Sequence, residues 1–413
     1  MTRIGFAYNQ KPETDEARPG DEEPRPEEEP PSRRRDSRSR GNASAQVAGA
    51  IEPHAPTAGK AANDDEFAEW DSAETIDAVE RALSPLGEVI RLEASADFPE
   101  RLRAERPDIV FNMAEGLRGV NREAHVPAIC EFHGIPYSGS DPLTLSMCLD
   151  KARTKECLAY HGVPTAPFRV VRDESGETQH RDRGTLRRET VRTALGFPVF
   201  VKPIHEGSSK GITERNYCRT AGEMDEQVAY LLERYQQPVL VEEYLPGAEF
   251  TCAVLGNGYD ACVLPIVGMK FDVLPDGALP VYGFEAKWLW DRPERPLQIF
   301  ECPARIDEAL RHTIEEVVLD AYRVLGCRDW SRIDVRLDAA GVPNVVEVNP
   351  LPGILPDPAD NSCFPKAARA AGMSYDELIR TCVRHAAERQ GVSLPSNAAR
   401  RRRSGAARAV ASG

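Results

Sequence analysis

The sequence predicts an α/β and α+β protein of several domains, with a Rossmann-like α/β domain at the N-terminus. In residues 88–137, short apolar runs alternate with helical patterns, which is typical of a parallel sheet. Residues 249–267 and 330–353 read as antiparallel hairpins set among helical segments. The 413 residues are enough for two or three such domains, each with a core of its own.

Composition and charge exclude several functional classes. A formal net charge of −14 argues against a general nucleic-acid binder. Apolar runs stay well short of the ~18–20 residues of a membrane span, and the N-terminus does not read as a signal peptide. The 10 cysteines are scattered without a CxxC pair, as in a reducing compartment. We therefore expect a cytoplasmic protein without a membrane partner, a disulfide framework or a zinc site.

The predicted N-terminal domain, residues 1–140, opens with a strand at Arg3 to Asn9. Residues 10–63 are rich in Pro, Glu, Arg and Ser, which predicts a disordered insertion. Its Arg/Ser block reads as a solvated segment, with a partner-binding or phosphorylated segment as the alternative. Order is predicted to resume with a helix whose apolar face includes Ile76 and Val79.

Loops at the carboxyl ends of the predicted parallel strands are candidate substrate contacts. Active sites of α/β domains lie at this edge of the sheet. The loop after the strand at Asp108 to Met113 carries Glu115, Arg122 and Glu123. Exposed loop charges are the alternative interpretation.

A buried strand ending in Lys202 runs into a loop rich in glycine and serine, EGSSKG. Backbone N–H groups of such a loop can surround phosphate oxygens, and the lysine adds a fixed positive charge. The loop is not a Walker A motif, and a flexible turn is the alternative. Glu242 and Glu243 end another apolar strand, so alternation turns one of them inward, where a carboxylate needs a donor such as an amine.

The segment from Trp330 to Gly353 predicts a hairpin with a polar face. Arg332, Asp334 and Arg336 alternate with apolar residues, and Glu347 and Asn349 share a face of the return strand. Two carboxylates and an amide oxygen suit Mg²⁺. A strand pair with one solvated face is the alternative.

Taken in order, these motifs resemble the D-alanine–D-alanine ligase family of the ATP-grasp superfamily over about residues 76–390. The resemblance is carried by FHGIPYSGS, LDKARTK, FPVFVKPIHEGSSKGI, VLVEEYLPGAEFTCAVLG, FEAKWL, SRIDVRLD, VVEVNPLPGI and NSCFPKAARAAGMSYDELI. It implies an ATP-grasp fold of three domains. A central subdomain is expected at 141–245 and a C-terminal one at 246–391, with ATP between them and a disordered basic tail at 392–413.

The resemblance also implies a role for each matching residue. Lys151, Lys202, Glu206, Gly207, Ser208 and Ser209 match phosphate contacts of ATP, and Glu242, Glu243, Tyr244, Leu245 and Glu249 match adenine and ribose contacts. Asp334, Glu347 and Asn349 match a site for two Mg²⁺ ions, with Mn²⁺ as an alternative ion. Arg332, Gly353, Ser208 and Lys287 match catalytic positions, and Ser362 a contact of the attacking amino acid.

Two segments depart from the family pattern. The Gly-Gly-x-Ser-x-Glu segment after the first strand is missing, and an acidic residue between Asp64 and Glu74 is the candidate to replace its glutamate. Trp288 stands where the family has a tyrosine in its lid loop.

The resemblance implies a cytoplasmic peptide-bond-forming ligase of cell-wall synthesis that acts through an acyl phosphate on small amino-acid substrates, with a homodimer as one expected assembly. A ligase of secondary metabolism acting on other amino or hydroxy acids and a non-catalytic ATP-binding regulator are the alternatives.

Overall fold

A computed structural model describes residues 1–12, 67, 69–172, 194–275, 277–283, 286, 290 and 297–395. The described residues form three β-sheets and the helices that pack on them. Predictions for residues 13–63, 173–193 and 396–413 lie outside these ranges. Gln10 and Lys11, assigned to the insertion from the sequence, instead continue the fold. Gln10 pairs in parallel with Asp71, and the Lys11 N–H donates to the Asp71 carbonyl at 2.8 Å.

The first sheet is parallel, as predicted from the alternation of strands and helices. Its strands are β1 (Arg3–Tyr8), β2 (Glu88–Glu93) and β3 (Ile109–Asn112), with β1 in the middle. Helix α1 (Ala73–Leu83) packs on one face of this sheet. Helices α2 (Phe98–Glu105) and α3 (His125–His133) pack on the other. The carboxyl ends of β1 and β3 therefore open toward the same edge.

Two consecutive helices follow, α4 (Pro142–Leu149) and α5 (Lys151–Tyr160). The sequence predicts an amphipathic helix from Leu149 to His161, which corresponds to α5, but it does not predict α4. Asp141 caps α4 by accepting the Thr144 N–H, and Pro142 occupies the first turn, where no intrahelical N–H is needed. Asp150 then caps α5 by accepting two backbone N–H groups, so that Lys151 begins the helix.

The second sheet is antiparallel, in the order β4 (Phe168–Val171), β7 (Val239–Glu243), β5 (Val199–Pro203) and β6 (Tyr217–Cys218). Helix α6 (Ala221–Tyr235) packs on it through Met224, Val228 and Leu231. The strands β5 and β7 end at Lys202-Pro203 and Glu242-Glu243, so the polar residues noted in the sequence sit on paired strands. Lys202 is paired in register with Leu240.

The third sheet has six strands and contains the predicted polar hairpin. Its order is β11 (Phe300–Glu301), β10 (Val267–Met269), β8 (Glu249–Leu255), β12 (Trp330–Leu337) and β13 (Pro343–Asn349), and β9 (Cys262–Val263) also pairs with β8. The second strand of the hairpin predicted at 249–267 is interrupted between β9 and β10. Pro265 lies at this point and lacks the N–H that a ladder requires. Helix α7 (Glu308–Val324) covers one face.

The last described helices are α8 (Cys363–Ala370) and α9 (Tyr375–Gln390). The sequence predicts a terminal helix over Tyr375 to Gln390, and the bounds of α9 confirm it. The sequence also predicts a short helix from Lys366 to Gly372. That start is wrong, because Pro365 lies in the first turn of α8, where proline is tolerated, rather than before the helix.

A buried aromatic contact joins the N-terminal and C-terminal parts of the described fold. The Trp330 side chain is fully buried, with its ring 5.6 Å from Phe111 of β3 and 5.6 Å from Phe364 of α8. The start of β12 is therefore fixed against the first sheet. In the described part of the chain, no helix is both long and apolar enough to cross a membrane.

Candidate active site

One cavity of about 380 Å³ collects the site residues predicted from the sequence. The predicted site residues that the structure describes lie in its wall, except Arg122 of the loop after β3, and Lys287 and Trp288 fall outside the described residues. The wall includes Glu115, Glu123, Lys151, Lys202, Glu206, Gly207, Ser208, Ser209, Glu242, Glu243, Tyr244, Leu245, Glu249, Arg332, Asp334, Glu347, Asn349, Gly353 and Ser362. Residues from all three sheets thus face one space.

Lys151 connects helix α5 to the polar hairpin. Its Nζ lies 2.8 Å from Glu347 Oε1 and donates to the Glu206 carbonyl at 2.5 Å. Burial alone would raise the pKa of Glu347, but the charges of Lys151 and Lys202 hold it at about 2. The Glu347 carboxylate is therefore ionised at neutral pH and presents negative charge to the cavity.

Glu242 is the inward-facing carboxylate that strand alternation predicted, and it has two amine partners. Lys202 Nζ lies 2.6 Å from Glu242 Oε1, and Lys155 Nζ lies 2.7 Å from Oε2. Burial opposes ionisation of Glu242, yet the two ammonium groups hold its pKa at about 2. Together, Lys155, Lys202 and Glu242 carry one more positive than negative charge, which suits an anionic ligand such as a phosphate.

The glycine- and serine-rich loop has the backbone shape of an anion-binding turn. Ser208 and Ser209 take left-handed conformations, with φ of 49° and 61°, which non-glycine residues adopt infrequently. The Ser209 hydroxyl donates to the Tyr282 carbonyl at 3.1 Å. The carboxylate of Glu206, in contrast, faces Lys210 Nζ at 2.7 Å and the Gln237 amide at 2.7 Å. A turn of this kind can point successive N–H groups toward one anion.

Glu69 is a site residue that the sequence left unplaced within the range Asp64 to Glu74. Its Oε1 accepts the Gly207 N–H at 2.9 Å, and its Oε2 lies 3.0 Å from Lys210 Nζ and 3.0 Å from Arg122 Nη2. A Cβ on Gly207 would lie 2.5 Å from Glu69 Oε1, so any other residue there would displace the Glu69 carboxylate. The missed signal was Lys210, the lysine directly after the two serines, which needs a carboxylate partner once it is buried.

The hairpin brings Arg332, Asp334, Glu347 and Asn349 together in register. Arg332 lies opposite Asn349 and Asp334 opposite Glu347. Arg332 Nη2 donates to Asp334 Oδ2 at 2.9 Å. Among the described residues, Asp334 Oδ1 and Arg332 Nε are buried without a hydrogen-bond partner. Burial raises the pKa of Asp334, although the neighbouring arginine opposes the shift.

These donors fit the magnesium ions predicted from the sequence. No group of three or more His, Cys, Asp or Glu side chains among the described residues has the arrangement of a metal site. Asp334 and Glu347 are two carboxylates, and the amide of Asn349 would supply a third oxygen. The unpartnered Asp334 Oδ1 and the all-oxygen donor set are what a hard divalent cation needs.

Arg336 was part of the predicted alternation but had no assigned role. Its Nη1 donates to Glu249 Oε2 at 2.8 Å, and its Nη2 donates to the Tyr244 hydroxyl at 2.8 Å. The guanidinium thus joins β12 to the connector after β7. Glu243, the other member of the acidic pair, accepts the Gly196 N–H at 3.1 Å.

The two remaining groups of predicted substrate contacts lie in different parts of the wall. Ser362 precedes α8, and its hydroxyl donates to the Gly353 carbonyl at 3.2 Å and accepts the Leu355 N–H at 3.2 Å. Glu115 and Glu123 lie on the loop after β3, and neither forms a hydrogen bond or an ion pair with other described residues.

Comparisons with known proteins identify the family. The family model described as D-ala D-ala ligase C-terminus matches residues 157–384. The uncharacterized protein y4sG of Sinorhizobium fredii is 34% identical over 319 residues, covering 75% of this chain and 86% of that protein. A D-alanine–D-alanine ligase of Bordetella petrii is 35% identical over 296 residues, covering 70% of this chain and 81% of the ligase.

Solved structures agree with the architecture. A D-alanine–D-alanine ligase from Bacillus anthracis complexed with ATP superposes with a TM-score of 0.60 at 19% identity. That likeness covers 95% of this chain and 99% of the other, and at this identity it establishes the fold alone. The ATP-grasp fold predicted from the sequence is confirmed. The chain belongs to the D-alanine–D-alanine ligase family and is an ATP-dependent, D-alanine–D-alanine ligase-like enzyme that forms C–N bonds.

Proposed function

We propose that the chain joins two amino-acid substrates by phosphorylating the carboxylate of the first and capturing the acyl phosphate with the amine of the second. The observation that carries this proposal is the convergence of Lys151, Lys202, Arg332 and the Asp334/Glu347/Asn349 set in one cavity. D-alanine is the first candidate for both substrates, since several relatives are named D-alanine–D-alanine ligase.

In the first step, a carboxylate oxygen attacks the γ-phosphorus of ATP, and the bond to ADP breaks. Charge on the transferred group must be neutralised. Lys151 and Lys202 supply fixed positive charge, and the loop of Glu206, Gly207, Ser208 and Ser209 supplies backbone N–H donors. The nucleoside would be held by the end of strand β7 at Glu242 and Glu243 and by the residues that follow, Tyr244, Leu245 and Glu249.

Two Mg²⁺ ions would be held by Asp334, Glu347 and Asn349, with Mn²⁺ able to substitute. When bound, they would supply Lewis-acid neutralisation of phosphate charge. Lys151 keeps Glu347 ionised, and Arg332 orients Asp334 by binding one of its oxygens. The protein's contribution is thus an ionised Glu347 and an Asp334 oriented by its arginine partner.

In the second step, the amine of the second substrate attacks the acyl carbon, and phosphate leaves. A donor must face the oxygen that gains charge. Arg332 Nε is such a donor, since it has no hydrogen-bond partner among the described residues. We assign the oxyanion to Arg332 and to the backbone at Gly353, and the carboxylate of the attacking amino acid to Ser362. Lys287 is assigned to the lid.

Glu69 is assigned a positioning role in this cycle. It binds Gly207 and Lys210 of the loop and Arg122 of the N-terminal domain. The loop is thereby held over the cavity, where it and the lid would keep water from the acyl phosphate.

The test is amino-acid-dependent release of phosphate from ATP by the purified full-length protein, using D- and L-amino acids and hydroxy acids. Release with D-alanine, and a product containing two residues, is the expected result. Release with other acids alone would select a ligase of different specificity. Tight ATP binding without release on any acid would contradict ligation and support a regulatory role.

A matched pair of variants tests the metal assignment. Glu347→Gln should abolish phosphate release while leaving the thermal unfolding temperature within about 3 °C of wild type. Glu316→Gln, on the exposed side of α7, is the control and should keep full activity. Full activity of Glu347→Gln would show that the metal site lies elsewhere.

We also expect the protein to form a homodimer and to lie in the cytoplasm. Light scattering tests the assembly, and cell fractionation tests the compartment.

A further inference from the structure

The amino-acid end of the cavity has an acidic wall. We define the acidic wall as Glu115, Glu123 and Asp71, all of which line the cavity. This end is formed by the N-terminal sheet, where the loops after β1 and β3 meet. The inference below rests on the proposed ligase function and concerns the chemistry of the first substrate.

Backbone geometry explains why two of these carboxylates are neighbours. Gly116 has a φ of 80°, and a Cβ there would lie 2.2 Å from the Arg122 carbonyl oxygen. Its N–H donates to Asn9 Oδ1 at 2.8 Å, which ties this loop to the end of β1. The loop therefore closes on itself at Gly116 and Arg122, and Glu115 and Glu123 flank this contact on the side of the cavity.

The described residues supply few cations for the carboxyl groups of the acidic wall. Burial raises the pKa of Glu115 well above its usual range, and the charge of Glu123 adds to that shift. Burial also raises the pKa of Glu123 to about 7, although Arg122 opposes the shift. Asp71 likewise has a pKa of about 7 because of burial, with Lys11 as the nearby cation. Arg122 is already bound to Glu69 and Lys11 is the cation beside Asp71, so burial favours the neutral forms of these carboxyl groups until a cation enters.

Four other carboxylates of the cavity have cationic partners. Glu69 is bound by Arg122 and Lys210, Glu347 by Lys151, Glu249 by Arg336, and Asp334 by Arg332. Glu69 already has three donors, so it is not the free acceptor for a substrate ammonium. One ammonium on the substrate would pair with one of the two loop carboxyl groups, whereas two would allow both Glu115 and Glu123 to ionise.

We propose that the first-substrate site, which also takes D-alanine, prefers an α,ω-diamino acid. Its carboxylate lies beside Arg332 and the Asp334/Glu347 pair, and its two ammonium groups lie against Glu115, Glu123 and Asp71. Glu123 is the nearer of the two loop carboxylates to the phosphoryl site, since it interacts electrostatically with Lys151 and Glu347. Glu115 lies toward Asp71. Glu115 and Glu123 are thereby specificity-determining residues.

The test compares diamino acids with neutral amino acids of the same chain length, in both enantiomers. Diaminopropionate, diaminobutyrate, ornithine and lysine are paired with alanine, aminobutyrate, norvaline and norleucine. Phosphate release from ATP and calorimetric binding, with a non-hydrolysable ATP analogue and Mg²⁺, are both measured on the full-length protein. At least one diamino acid should have a kcat/KM about tenfold or more above that of its neutral counterpart.

Variants separate specificity from general damage. Glu115→Gln and Glu123→Gln should each lower kcat/KM for the diamino acid at least about tenfold more than for its neutral partner. Glu156→Gln, an exposed glutamate on α5, should leave the preference unchanged. An equal loss on both classes of substrate would assign these residues a structural role and overturn the proposal.

The outcomes also distinguish this proposal from the proposed function. Turnover of neutral amino acids with no preference for any diamino acid would overturn the diamino assignment and leave ligation intact. If no amino acid bound to the protein or caused phosphate release, both the diamino assignment and the proposed ligase function would be overturned.

Discussion

A single buried carboxylate between two lysines fixes the electrostatics of the nucleotide end of the cavity. Glu242 is 5% exposed and contacts Lys155 and Lys202. Burying charged groups is costly unless they are paired, so the three side chains depend on each other. Removing the carboxylate would leave two ammonium groups facing each other without a counter-charge.

We expect Glu242→Gln to reduce the free energy of unfolding by about 3 kcal/mol, measured by urea denaturation at pH 7. The folded-state pKa of about 2 lies below the usual value of 4.5, so the stabilisation is present above about pH 4.5. It should shrink as the pH falls from about 4.5 toward 2, and the difference between wild type and variant should shrink with it. Glu243→Gln is the control, because its carboxylate accepts one exposed backbone N–H. Equal effects in the two variants would contradict the assignment.

Glu69→Gln removes the charge that joins the loop to the N-terminal domain while keeping the side-chain shape. We expect kcat/KM to fall at least about tenfold, because Lys210 and Arg122 lose an ionic partner and the loop loses its orientation. Steady-state kinetics measure the effect. Glu74→Gln, an exposed change in the first turn of α1, should keep wild-type kinetics. Wild-type kinetics in Glu69→Gln would exclude the positioning role.

At the residue scale, the sequence predicted which side chains face the cavity where strand alternation or motif order applied. Alternation placed Asp334, Glu347 and Asn349 on one face, and it identified the need of Glu242 for an amine. Glu69 could not be placed, since its neighbours in space are separated from it by 53 and 138 residues along the chain. Such long-range pairing leaves no local pattern.

At the scale of elements, Asp329 connects three segments near the start of β12. It is fully buried, has a φ of 64°, and accepts the Gly139 N–H at 2.9 Å and the Asn257 amide at 2.9 Å. Arg389, at the end of α9, donates to the same carboxylate at 2.8 Å. The last helix of the described fold is therefore attached to the strand that carries Arg332.

Arg389→Ala should lower the free energy of unfolding by about 3 kcal/mol, because it leaves the Asp329 carboxylate buried without its cation. Equilibrium urea unfolding measures the change. Glu388→Ala, one residue earlier and exposed, should change stability by less than about 0.5 kcal/mol. A loss below 1 kcal/mol in Arg389→Ala would show that Asn257 and Gly139 suffice to hold Asp329.

Sequence patterns predicted long, periodic elements better than short ones. The bounds of α9 and both strands of the polar hairpin follow from periodicity, and α5 follows from its amphipathic face. Helix α4 was missed, and α8 was placed three residues late, because a proline in the first turn resembles a proline that stops a helix. The Gln10–Asp71 pairing was missed because its two partners are separated by a long segment of different composition.

At the scale of the whole molecule, residues Met1–Lys11 and those from Phe67 onward form one compact unit by contact. The composition of residues 13–66 predicts that they add little to its stability. Replacing 13–66 by a short Gly/Ser linker should therefore change the thermal unfolding temperature by less than about 3 °C, measured by calorimetry. Gln10 and Lys11 must be kept, since they pair with Asp71. A fall of more than about 8 °C would contradict the prediction.

The register of β12 has a consequence for how this chain tolerates insertions and deletions. Along β12, Arg332, Asp334 and Arg336 face the cavity, whereas Ile333 and Val335 pack in the core beneath α7. One residue added or removed within the strand would exchange these two sets, so that arginines enter the core and aliphatic side chains enter the cavity. Length variation is then confined to segments such as the turn at Asp338 and Gly341, which changes no register. An indel scan across residues 330–349 should show activity surviving only at that turn.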